Sequence, residues 1–107
     1  MSNFDKRSEA FEGKFAHDEA LRFKALARRN KLLGLWAAEK MGKSGAEAET
    51  YAKGVISADL EEAGDEDVFR KIRTDFDGAK VAQSDHQIRR TMDELLVKAI
   101  EEIKNGR

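Results

Sequence analysis

Three helix-start signals divide this chain into runs of helix-forming residues, and no proline interrupts any of those runs. The first is Gly42-Lys43-Ser44-Gly45. A stop glycine there ends one helix near Met41, and Ser44 with Glu47 has the spacing of a capping box for the next. The second is Gly64-Asp65, where the glycine closes a helix and Asp65 caps a third. Glu66 and Asp67 then suit the positive end of that helix dipole. The third is Ser84 with Gln87, again a capping-box pair. Strand-like alternation is missing, while Ala, Leu, Glu, Lys and Arg dominate.

Between these signals the apolar residues recur at helical spacing. The second helix carries Ala48, Tyr51, Ala52, Val55, Ile56 and Leu60 on one stripe. The third carries Val68, Phe69, Ile72, Phe76 and Ala79, and the fourth Ile88, Met92, Leu95, Leu96, Ala99 and Ile103. Between Ala20 and Met41 two faces are apolar: Leu21, Ala25, Leu32, Leu35 and Trp36 on one, Leu26, Leu33, Ala37 and Met41 on the other. A helix apolar over so much of its girth touches several partners, so this one is expected at the centre. Gly34 inside it is expected to mark a close helix–helix approach. The prediction is an all-α protein, a four-helix bundle over residues 20–107, with residues 1–19 as an N-terminal arm and junction. With 107 residues, 40% of them hydrophobic, there is material for one core.

The arm is the odd piece. Phe4, Phe11 and Phe15 are spaced i, i+7, i+11 and share one helical stripe, while most of the charged residues lie elsewhere. A helix this short is marginal alone in water, so the arm is expected to be mobile or weakly helical when free. Two readings of the pattern stay open: the stripe packs back on the bundle, or it folds into a groove on a partner with the rings as anchors.

Charge is unevenly spread. Residues 20–41 hold six lysines and arginines against one glutamate, whereas residues 42–80 are net acidic, within a chain whose net charge is −1. Complementarity between neighbouring helices accounts for that. The overall balance argues against nucleic acid as a partner. There is no cysteine, no signal-peptide pattern and no apolar run long enough to span a bilayer, so a cytoplasmic protein without direct membrane insertion is expected. His17 and His86 each adjoin an aspartate, but adjacent helical residues point apart, so no metal is expected. Neither a phosphate-binding glycine loop nor a positioned nucleophile occurs, and the chain is not expected to be an enzyme.

From Phe11 to Gly42 the chain resembles the zeta inhibitor subunits of α-proteobacterial F-type ATP synthases. The resemblance is carried by Lys14-Phe15-Ala16-His17-Asp18-Glu19, by Arg22-Phe23-Lys24-Ala25, and by the run from Ala27 to Ala38, Ala-Arg-Arg-Asn-Lys-Leu-Leu-Gly-Leu-Trp-Ala-Ala. It continues more weakly through Tyr51-Ala52, Gly64-Asp65 and residues 85–90. Ala20 departs from the family, where an acidic residue often stands. The resemblance implies a four-helix bundle whose N-terminal segment inserts between catalytic α and β subunits beside the rotor γ subunit and blocks ATP hydrolysis. On that basis Phe4, Arg7, Phe11, Lys14 and Phe15 are the expected partner-binding residues. The protein would be monomeric when free and peripheral to the inner membrane when bound. ADP or ATP as a regulatory ligand is implied by the resemblance only. Arg28, Arg89 and Arg90 are the weak candidates for holding it, since a nucleotide site here would need a helix N-terminus or cationic side chains. The alternative is a helical adaptor that binds another protein through the aromatic arm.

Overall fold

The computed structural model describes residues 18–61, with side chains up to residue 58, and residues 65–106. Four helices make up these residues: α1 (Glu19–Lys40), α2 (Gly45–Glu61), α3 (Glu66–Ala79) and α4 (Asp85–Lys104). Among the described residues there is no strand.

Local chemistry sets the ends of the helices. Asp18 caps α1 by accepting the Leu21 amide at 3.1 Å. At the other end Gly42 takes φ 78°, Lys43 donates back to the Ala38 carbonyl at 2.8 Å, and Gly42 donates to Glu39 at 3.0 Å. That is a Schellman ending, and it needs a residue without a Cβ penalty at the left-handed position. The Ser84 box forms as expected: its hydroxyl accepts the Gln87 amide at 3.1 Å, and Gln87 Oε1 accepts the Ser84 amide at 2.8 Å.

Two expected caps differ. Ser44 makes no side-chain hydrogen bond to any described residue, and Gly45 enters α2 at φ 57°. A left-handed residue at the first helical position removes the geometry in which Ser44 and Glu47 could serve each other. Asp65 stands at the cap position of α3 but makes no side-chain capping bond. Its carboxylate is used by Arg29 instead. Gly64, the expected stop of α2, and the Leu60 side chain lie outside the described residues.

The expected stripes face inward with two changes. Val68, Phe69, Ile72 and Phe76 of α3 are buried, whereas Ala79 is exposed. α3 ends in a second Schellman turn at Lys80, φ 60°, where Val81 donates to the Phe76 carbonyl at 2.9 Å and packs on the core. Val81 thus fills the place assigned to Ala79, the hydrophobic contact that accompanies such a turn. On α4, Ile100 joins the buried set.

α1 is the central element and touches each of the other three helices. Its Leu33 and Ala37 enter a core with Val55 of α2, Ile72 and Phe76 of α3, and Ile88 and Met92 of α4. Trp36 lies half-buried against Phe76, ring centroids 5.6 Å apart. Nearer the N-terminus, Ala25 and Leu26 pack on Leu96 and Ile100, with Leu21 and Ile103 at the margin. Gly34 is the close approach that the sequence suggests: a Cβ there would lie 2.5 Å from the Ala52 Cα.

Candidate functional site

The expected partner-binding residues Phe4, Arg7, Phe11, Lys14 and Phe15 lie outside the described residues. What the structure supplies is the platform behind them. Asp18, the cap of α1, is the first described residue and follows them in the chain.

Beyond that cap lies a polar cluster among α1, α3 and α4. Arg29 is fully buried, and an arginine side chain stays charged at any ordinary pH. Burial of that charge requires paired acceptors. Nη2 donates to Asp65 Oδ1 at 2.8 Å, and Nε donates to Asn30 Oδ1 at 2.6 Å. On the neighbouring helix α4 the Arg89 guanidinium stacks 3.8 Å from the Phe69 ring centroid and pairs with Glu66 at 3.2 Å. The first turn of α3 is therefore held from two sides, by arginines of α1 and α4. In the sequence Arg29 is one of the basic residues of α1 whose charge the acidic neighbouring helices are expected to balance, and its pairing with Asp65 fits that expectation. The signal that finds it is its position: it stands on the Ala25–Leu33–Ala37 row, the buried face of α1.

A second polar group sits at the far end of α1. The Tyr51 hydroxyl donates to Asp75 Oδ2 at 2.7 Å, and Lys71 Nζ meets the same oxygen at 3.1 Å. Lys71 also lies 5.0 Å above the Tyr51 ring. Burial, followed by the hydrogen bond to Asp75, pushes the Tyr51 phenol far above its ordinary pKa. The group borders a shallow cleft of about 490 Å³ shared with Met41, Lys43 and Thr74. A phenol held neutral beside a carboxylate that is already paired is a structural bond rather than an acid–base couple.

Arg28, Arg89 and Arg90 do not converge. Arg28 pairs with Glu102 at 3.7 Å, Arg89 with Glu66, and Arg90 with Glu94 at 3.4 Å. Glu102 lies 13 residues beyond Arg89 on one helix, about 20 Å along its axis. Arg28 on α1 and Arg89 with Arg90 on α4 are thus two separate candidate places, and at each the cations are already paired. Of the basic residues of α1, Arg29 finds its acid at the α3 cap and Arg28 on α4.

These elements define an all-α four-helix bundle held by apolar stripes and interhelical ion pairs, with an aromatic segment leading into its central helix. The chain belongs to the ATPase inhibitor subunit zeta family, whose model matches residues 1–102. It is also similar to a protein solved in solution by NMR, at 46% identity and a TM-score of 0.72, over 81% of this chain and 99% of that one. No protein of curated function matches it. Among the described residues no helix is long and apolar enough to cross a membrane.

Proposed function

We propose that this chain inhibits ATP hydrolysis by the F-type ATP synthase. Its N-terminal segment enters a catalytic α/β interface beside the rotor γ subunit, and the bundle stays outside. The observation that carries this reading is the reach of the family match, which begins at residue 1 and takes in the aromatic segment together with the bundle.

The chemistry of the segment agrees. Phe4, Phe11 and Phe15 fall on one helical stripe, so a segment bound as a helix presents three rings to one wall of a groove. A few large anchors then supply most of the affinity, with Arg7 and Lys14 available to carboxylates at the groove edge. Wedged beside the shaft, the segment blocks the hydrolytic sense of rotation and leaves the synthetic sense open. The bundle acts as a tether that raises the local concentration of the segment at its slot. ADP or ATP enters this reading only as a regulator, held elsewhere than by Arg28, Arg89 and Arg90 together.

The test is the full chain added to a purified catalytic sector, with hydrolysis and synthesis followed in parallel. The reading requires hydrolysis to fall while synthesis continues. Tight binding with hydrolysis unchanged would transfer the chain to the adaptor class.

A further inference from the structure

Phe23, Ala27, Gly34 and Ala38 lie on one side of α1, at positions within about 60° of one another around the helix. In the C-terminal half of α1 this side is covered by α2, where Gly34 meets Ala52 and Ala38 is fully buried. α2 runs antiparallel to α1, so with residue 52 opposite residue 34 its last residue, Glu61, falls opposite residue 25 or so. The first turns of α1 therefore run past the end of α2. Phe23 stands there, 63% exposed, with exposed Ala20 and half-buried Ala27 beside it. The opposite flank is occupied, because Ala25 and Leu26 pack on Leu96 and Ile100 of α4.

Among the described residues Val97 is the other exposed large hydrophobic, and it sits between charged residues as an isolated surface valine. Phe23 belongs to an apolar strip. Two cations edge that strip, Lys24 and Lys31, both exposed and neither paired with any described residue. Their flanking neighbour Arg28 is already paired with Glu102. The missing complement is an apolar pocket rimmed by carboxylates. Phe23 also lies only five residues beyond the Asp18 cap, about 8 Å along the axis, so whatever holds the arm is within reach of it.

We propose that Phe23, with Ala20 and Ala27 around it and Lys24 and Lys31 at its edge, is a second docking surface for the catalytic sector of the ATPase. It seats in an apolar, acid-rimmed pocket on the outer surface, next to the slot that takes the arm. The proposal rests on the ATPase being the partner. The ring supplies contact area at little cost in side-chain entropy, and the two lysines speed association in a salt-dependent way.

The experiment uses full-length chains: wild type, Phe23→Ala, Lys24→Glu with Lys31→Glu, and Phe11→Ala alone and combined with Phe23→Ala. Each is titrated against the purified catalytic sector for Kd and for inhibition at saturation. Phe23→Ala is expected to raise Kd by about tenfold or more, with full inhibition at saturation and an unaltered melting temperature. The lysine pair should slow association and flatten its dependence on salt. Phe11→Ala and Phe23→Ala should multiply in Kd, as distant contacts do. A Phe23→Ala chain with the Kd of wild type overturns the proposal. So does tighter binding, which would mean that the arm covers this face in the free chain, and so does a wild-type dimer that Phe23→Ala dissolves. Wild type that binds without inhibiting overturns the functional reading but keeps this surface if Phe23→Ala weakens the binding. Wild type that does not bind overturns both.

Discussion

The Arg29 guanidinium of α1 holds the Asp65 carboxylate at the start of α3 at 2.8 Å, with the two side chains 1% and 8% exposed. Neither charge has water to fall back on, so the pair is worth most as a constraint against being broken. Asp65→Ala strands a buried guanidinium and is expected to cost roughly 3–5 kcal/mol, read as a lower urea midpoint. The combined change Arg29→Met and Asp65→Leu removes both charges and should recover most of that loss. If Asp65→Ala is nearly neutral, the pair does not organise the α1–α3 junction.

Gly34 offers a sharper steric test. Alanine should help an isolated helix by about 1 kcal/mol, yet its Cβ would lie 2.5 Å from the Ala52 Cα, and backbone cannot rotate away. The clash should win, and Gly34→Ala should destabilise by about 1–3 kcal/mol net with the m-value unchanged. Gly78→Ala is the control, because nothing lies within 4 Å of its Cβ position. A more stable Gly34→Ala would mean that α1 and α2 are free to move apart.

Tyr51 gives the protein a response to alkali. Its phenol is raised by burial and by its bond to Asp75, so above the unfolded pKa of about 10 the native state binds more protons than the unfolded one. Stability from this source is complete below about pH 10 and is lost as pH rises beyond it. Wild type should therefore lose stability faster than Tyr51→Phe above about pH 10. Tyr51 is the one tyrosine in the chain, so phenolate absorbance reports it alone and should appear only with unfolding.

In the arm, Phe4→Ala or Phe11→Ala is expected to cost about 2 kcal/mol or more of binding to the catalytic sector, since few anchors carry such an interface. The melting temperature of the free protein should not change. A variant that melts early would place these rings in the core of the bundle.

Most of the bundle was legible in the sequence because helix ends and helix stripes are local. The Ser84 box, the glycine ending at Gly42 and the inward row from Ile88 to Ala99 need only neighbouring residues to be recognised. Gly34 was read as a close approach for the same reason, a glycine where propensity disfavours one. What escaped depends on tertiary register. Arg29 is buried with an acid that comes from 36 residues away, a pairing that local sequence does not specify. Asp65 could not be seen as anything but a cap. Phe23 is exposed because α2 ends opposite residue 25 or so, a length match that no single helix records. Ser44 and Glu47 had the right letters, but the left-handed Gly45 between them decided the outcome.

The central claim is that the N-terminal segment is the inhibitory agent and the bundle its holder. ATP hydrolysis by a purified catalytic sector, measured with the full chain and with a chain lacking residues 1–15, tests it most directly. The account predicts inhibition by the full chain and none by the shortened one, with the same helical content and cooperative melting in both. Equal inhibition by the two chains would contradict it and move the active surface onto the bundle.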